Sequence, residues 1–420
     1  MEENIQRAEQ QLLKTYNRYP VVFDRGNGVT LYDTEGNAYL DFFSGIGVQG
    51  LGHHYPGLQE AVKEQVDKLW HTSNYFYNEP AIEASEKLLK VSQMERVFFT
   101  NSGTEAIEGA LKIARKYGVE KHGKDCYEMI AMNHSFHGRT FGALSVTGNA
   151  HYREPFEPLL PGVKFATYND LQSVRALVSE KTCGIIVEPL QGEGGIHPAT
   201  EEFLNGLRDL ADQYDLILIF DEIQCGMGRT GKLFAYENFD LVPDIVTIAK
   251  SLGGGVPIGA CLTKGKANDV LVPGDHGSTY GGNPLVCAVA NAVLHELIDN
   301  KLIEKNVVEK GQYSVEKLKK LKEKFDFIEE IRGKGLLLGI KFDEKKVLAK
   351  DVVLKVLENG LLLVGAGNNV VRFFPPFNVT NDEIDKAVLI LEKVFEKISF
   401  ISSGNAFVVI SISEKFLFNI

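Results

Sequence analysis

The sequence predicts an α/β protein, with a large and mostly parallel sheet layered between helices and a smaller α+β lobe beside it. From about residue 56 to 300, short apolar runs alternate with amphipathic stretches of helical length, the signature of βαβ units. Beyond residue 300 the pattern changes to Lys/Glu-rich helices broken by short strands. At 420 residues the chain is also too long for one small core, and about two or three lobes are expected.

Residues 1–55 read as an N-terminal segment that joins the small lobe. A helix over 5–16 is followed by extended pieces broken by Gly26, Gly28 and Gly36. Within the large lobe, 56–300, the clearest strands fall at 97–100, 184–187, 216–220 and 245–249, and helices at 104–117, 201–214 and 284–300. The small lobe, 301–400, holds a strand near 336–342. Residues 401–420 form an unassigned tail. Its β-prone runs at 406–411 and 416–418, after the Ser402-Ser403-Gly404 break, suit an edge strand, a packing arm or a disordered end.

Charge and composition exclude several function classes. The formal net charge is −11 with no long basic run, which argues against nucleic acid or an anionic membrane as a partner. No run of about 18 apolar residues occurs, so no membrane span is expected. The polar start Met1-Glu2-Glu3-Asn4 has no apolar signal core behind it. Five scattered cysteines with no C-x-x-C read as small buried hydrophobes rather than disulfides. A cytoplasmic protein is the natural expectation. His53 and His54 lack a Cys or carboxylate at ligand spacing, so they read as turn and packing residues and no metal is expected.

Three polar residues close three predicted parallel strands: Glu188 after IIV, Asp221 after LILIF, and Lys250 after DIVTIA. They follow one another at about the spacing of a βαβ unit, and open α/β sheets bind ligands outside the carboxyl ends of their strands. An acid and a lysine thus reach one crevice, beside the run Gly253-Gly254-Gly255. A second signal is FFTNSGTEA, where a strand turns into a helix. Free amides at a helix start bind phosphate, and Gly103 lets an anion approach the backbone. Ser102 and Glu105 also suit a capping box.

The segments NSGTEA (101–106), SFHGRT (135–140), EPLQGEGG (188–195), DEIQCGMGRTG (221–231), AKSLGGGVPIGA (249–260), HGSTYGGNP (276–284) and VRFFPPF (371–377) together resemble the class III aminotransferases. The likeness runs from about residue 16 to 398 and is strongest to the branch acting on acetylornithine, also through HTSNYFYNEPAIEASEKL (71–88). Asp275 departs from that branch, which commonly has Thr there.

The resemblance implies the fold type I architecture of pyridoxal-phosphate enzymes, a pyridoxal 5′-phosphate cofactor and a homodimer with shared active sites. Lys250 would hold the cofactor as a Schiff base and shuttle a proton. Asp221 would pair with the pyridine nitrogen and Gln224 with the phenolic oxygen. Ile223 and Phe136 would flank the ring. Ser102, Gly103 and Thr104 would form the phosphate site, completed by Thr279 of a second subunit. For substrates, Arg139 would take the remote carboxylate of the amino donor, and Arg372 the α-carboxylate of glutamate or 2-oxoglutarate. Glu193 would pair with Arg372 when no α-carboxylate is present. Tyr16 and Ser278 would contact substrate. The implied reaction passes the δ-amino group of N2-acetyl-ornithine to 2-oxoglutarate in two half-reactions. Donors such as ornithine, succinylornithine, 4-aminobutyrate or an acetylated lysine precursor stay open, because relatives using them share these residues. An aminomutase of the same superfamily would not need Arg372 together with Glu193. A dinucleotide-binding dehydrogenase is a poor fit, since the chain lacks G-x-G-x-x-G after an early strand.

Overall fold

A computed structural model describes residues 1–402. Seven strands form the central sheet: β1 Arg96–Thr100, β2 Glu128–Met132, β3 Val163–Ala166, β4 Thr182–Val187, β5 Ile217–Asp221, β6 Ile245–Ile248 and β7 Gly259–Thr263. Their order across the sheet is β1-β7-β6-β5-β4-β2-β3. Only β7 runs against its neighbours; the other six are parallel. The carboxyl ends of β1, β4, β5 and β6 therefore open on the same side.

Both faces of this sheet are covered, which is why its strands read as unbroken apolar runs rather than alternating ones. Along β5, Ile217 and Ile219 pack into one core with Ala106, Ala110 and Ile113 of α1 (Gly103–His122). Leu218 and Phe220 face the other core, with Leu207 and Leu210 of α2 (Glu201–Gln213). Thr200 caps α2 by accepting from the Phe203 amide at 3.2 Å. Asn283 likewise caps α3 (Pro284–Leu294), accepting from the Val286 amide at 3.1 Å. Such a cap stabilises a helix by about 1 kcal/mol. All five cysteines are free and buried.

The small lobe has an antiparallel sheet of β8 Ile328–Lys334, β9 Leu337–Phe342, β10 Val364–Ala366 and β11 Val370–Phe373, in the order β8-β9-β11-β10. The N-terminal strands Phe23–Asn27, Thr30–Asp33 and Ala38–Asp41 form a separate sheet, joined in parallel by Leu361–Leu362. Thus the start of the chain shares a sheet with its C-terminal part. His53 Nε2 donates to the buried Asp41 carboxylate at 2.7 Å, a packing role.

Two boundaries differ from expectation. The first helix is Glu2–Gln11 rather than 5–16. Acidic Glu2 and Glu3 favour a start there through the helix dipole, and Leu12 turns extended. The helix at 284–300 is regular only to Leu294 and continues as a wider turn over His295–Asp299. The last helix reaches Ser402; the tail runs at 406–411 and 416–418 lie outside the described residues.

Candidate active site

The strand ends meet in a cleft of about 440 Å³. Its floor comes from three parallel strands. Asp221, the last residue of β5, is buried, with one carboxylate oxygen 2.7 Å from His137 Nδ1 and the other accepting from the Ile223 amide at 3.0 Å. Glu188 follows β4 and accepts from the amides of Phe136 at 3.2 Å and Gly192 at 3.3 Å. Burial and the adjacent Asp221 charge push the Glu188 carboxyl well above the usual carboxylate range. Lys250 lies two residues past β6, with φ at 41°, a left-handed conformation that a non-glycine residue rarely adopts. Burial and the Arg372 charge pull its amine down to about 8. About a tenth is then unprotonated at pH 7, far more than for an ordinary lysine, which suits a nucleophilic amine.

One wall is the start of α1. Ser102 accepts from the Glu105 amide at 3.3 Å. The Glu105 carboxylate reaches past the cap to the backbone and side chain of Asn101, both at 2.9 Å, so the expected capping box is displaced by one residue. No acceptor among the described residues takes the amides of Ser102, Gly103 or Thr104. A Cβ on Gly103 would stand 2.7 Å from Ile223, so only glycine lets the helix start approach this closely. Phe136 and Ile223 both line the cleft.

Charge on the opposite side comes from the small lobe. Arg372 of β11 is 1% exposed. It bonds Glu193 at 2.8 Å, Gln224 Oε1 at 3.3 Å and the Gly365 carbonyl at 2.8 Å. Arg139 stands exposed at the mouth, its guanidinium 4.0 Å from the Tyr152 ring centre and 5.4 Å from that of Phe136. It has no carboxylate partner among the described residues.

Most of the residues singled out from sequence line this one cleft: Ser102, Gly103, Thr104, Phe136, Arg139, Glu193, Asp221, Ile223, Gln224 and Lys250. Arg372 stands behind Glu193. Three others do not line it. Tyr16 is 74% exposed and lies against Arg18. Ser278 accepts from Asn101 Nδ2 at 3.1 Å at the rim, and Thr279 is exposed. His137 joins the site without being expected there. The available signal is its place in the loop after β2, since loops at the carboxyl ends of parallel strands converge.

The family model for class III aminotransferases matches residues 13–395, and the chain belongs to that family. An acetylornithine aminotransferase from Clostridium acetobutylicum is 54% identical over 92% of this chain and 99% of its own. A succinylornithine transaminase from Salmonella newport is 46% identical over 90% and 92%. Among solved structures, the ornithine aminotransferase of Toxoplasma gondii superposes with a TM-score of 0.91 at 35% identity, covering 95% of each chain.

The protein is therefore a pyridoxal-phosphate-dependent aminotransferase of fold type I. The cleft fits that cofactor: unpartnered amides beside Gly103 suit a phosphate, buried Asp221 suits a protonated ring nitrogen, and the Lys250 amine suits covalent attachment.

Proposed function

We propose that this enzyme moves the δ-amino group of N2-acetyl-ornithine to 2-oxoglutarate, giving N-acetyl-glutamate 5-semialdehyde and glutamate, a step of arginine biosynthesis. The observation that carries this reading is the 2.8 Å pair between Arg372 and Glu193, set against an Arg139 with no ion partner among the described residues. A donor whose carboxylate is far from the reacting amine presents only methylenes to Arg372. An unpaired guanidinium in a partly dry pocket is costly, and Glu193 supplies the missing carboxylate. When glutamate or 2-oxoglutarate enters, its α-carboxylate takes Arg372 and Glu193 swings aside. Arg139 then holds the remote carboxylate, for which its planar fork is suited.

When bound, the cofactor supplies an electrophilic carbonyl for the amine and a ring that withdraws electrons. Gly103 and Thr104 amides would bind its phosphate beside Ser102, and Asp221, held by His137 at 2.7 Å, would keep the ring nitrogen protonated. Gln224 would bond the phenolic oxygen, and Phe136 and Ile223, which line the cleft, would flank the ring. The Lys250 amine would hold the cofactor covalently and, once released, would take and return the proton at the substrate carbon. Exposed Thr279 reaches the phosphate site of a partner subunit, so the working unit is a homodimer, placed in the cytoplasm. Ser278 and Tyr16 complete the substrate pocket. The lobes divide at about residues 55 and 300, with 1–55 serving the small lobe of 301–400.

Stopped-flow spectra of each half-reaction test this with a panel of donors: acetylornithine, succinylornithine, ornithine, acetyl-lysine-type donors and 4-aminobutyrate. Acetylornithine is expected to lead in kcat/KM, and another donor in first place would replace it. Glu193→Ala is expected to slow amination by acetylornithine while sparing amination by glutamate. Equal losses in both half-reactions would make Glu193 a structural partner only.

A further inference from the structure

Glu193 sits at the tip of a small hairpin whose strands are Leu190–Gln191 and His197–Pro198. The tip conformation is unusual. Gly195 has φ 115° and Ile196 φ 57°, and a β-branched residue in that region is a marked outlier. Ile196 is nonetheless fully buried and packs with Leu190, Leu337 and Val370. Packing against β9 and β11 thus holds a backbone that the residue alone would not choose.

Three consecutive carbonyls of the tip are taken by the small lobe. Glu193 O accepts from the Gly367 amide at 2.8 Å, and Gly194 O from Asn368 Nδ2 at 3.3 Å. Gly195 O accepts two bonds from Arg332, Nε at 2.9 Å and Nη2 at 2.6 Å. Arg332 Nη2 also lies 2.9 Å from His197 Nε2, on the returning strand, and Nη1 bonds Glu330 at 2.9 Å. A guanidinium only donates, so the His197 contact needs Nε2 unprotonated. Burial and the Arg332 charge pull His197 down to about 4, which keeps it so at neutral pH. A Cβ on Gly195 would stand 2.6 Å from the Gly367 carbonyl, so the seat admits nothing larger. The Glu193 side chain, by contrast, is 33% exposed.

We propose that Arg332 is a positioning residue that clamps the main chain under Glu193, so that the Glu193–Arg372 pair opens by side-chain rotation alone. This rests on the switch described under the proposed function. A loosened tip spreads the Glu193 carboxylate over many positions and lowers the fraction paired with Arg372. The acetylornithine half-reaction needs that pair, and the glutamate half-reaction needs it open.

Five proteins decide the matter: wild type, Arg332→Gln, Arg332→Lys, Glu193→Ala and the double variant Arg332→Gln with Glu193→Ala, each followed in both half-reactions. Arg332→Gln is expected to lower the ratio of the acetylornithine rate to the glutamate rate roughly tenfold, on the order of one lost charge-assisted hydrogen bond. Arg332→Lys, which can still donate to Gly195 O, is expected to recover part of that ratio. In the Glu193→Ala background, Arg332→Gln should change the ratio no further. Hydrogen exchange, which does not depend on activity, should quicken over residues 190–198 in Arg332→Gln, with or without cofactor. A loss shared equally by both half-reactions overturns the clamp. So does unchanged exchange at the hairpin. If Glu193→Ala moves the ratio and Arg332→Gln does not, the switch stands and the clamp fails. If Glu193→Ala leaves the ratio unmoved, the switch itself fails and takes the clamp with it.

Discussion

At the floor of the cleft, Asp221, Glu188 and Lys250 hang from adjacent parallel strands of one chain. Asp221 and Glu188 are buried, and backbone amides or His137 answer their carboxylates. At the mouth Arg139 is exposed, with no ion partner among the described residues, while Thr279 and Tyr16 are exposed outside the cleft. The floor owes its order to sheet topology, which a single chain completes. The mouth is open to solvent. On the proposed function, the chemistry common to the family belongs to the first region and the choice of donor to the second.

The largest expected effect breaks the floor. Lys250→Ala is expected to abolish turnover and the absorbance of covalently held cofactor while the protein still folds. Near-normal activity would remove the central role of this lysine. At the mouth, Arg139→Ala is expected to lower kcat/KM for acetylornithine by roughly 30- to 4,000-fold, the range for truncating one member of a charge pair, at about 2–5 kcal/mol, when the bound donor buries it. Arg139→Lys should suffer as well, since an ammonium cannot reproduce the planar fork. A loss under about threefold would place the remote carboxylate elsewhere.

Between floor and mouth stands His137, whose effect should be smaller because it acts through Asp221. Losing a hydrogen bond to a charged group costs about 1.5–3 kcal/mol, so His137→Leu is expected to lower kcat about 10- to 150-fold and to move its pH profile. An unmoved profile would mark His137 as packing alone. The smallest effect is one of pH. With its amine at about 8, Lys250 should capture cofactor roughly tenfold faster at pH 9 than at pH 7, levelling off above. The linkage has a definite sign. Between about 8 and the ordinary lysine value, the unfolded chain binds the proton that folded Lys250 has released. The apo protein therefore gains stability from this group as pH rises through that window. Capture that is flat across pH 7–9 would contradict the depressed amine.

Much of the floor is legible in the amino-acid sequence itself, because an apolar run that ends in a lone polar residue is a local signal. Glu188, Asp221 and Lys250 each carry it. The turn at Asn101–Thr104 carries its own signal in Ser and Gly at a helix start. His137 carries no such mark, because its partner Asp221 is 84 residues away. Only the sheet order, with β4 between β2 and β5, brings them together. Arg332 is equally hidden, since its guanidinium answers carbonyls of a hairpin 137 residues earlier. Backbone acceptors leave no mark on side-chain pattern. The first helix ends short of its apolar spacing because Leu12, Leu13 and Tyr16 keep that spacing yet remain exposed; periodicity tells which face is apolar, not whether anything covers it.

The lone reversed strand also sets a length. β7 is inserted between β1, which leads into the start of α1, and β6, which leads to Lys250. Neighbouring strands lie about 4.8 Å apart, so this spacer separates the two by about 10 Å. Because β7 runs backwards, it presents its beginning to the cleft, and that residue is Gly259. A Cβ there would stand 2.5 Å from the Ser102 carbonyl. The sheet thus acts as a ruler whose middle mark is a bare backbone. The reach between the Lys250 amine and the free amides at the start of α1 is cast in hydrogen-bond spacings that surface loops can vary around but not rescale.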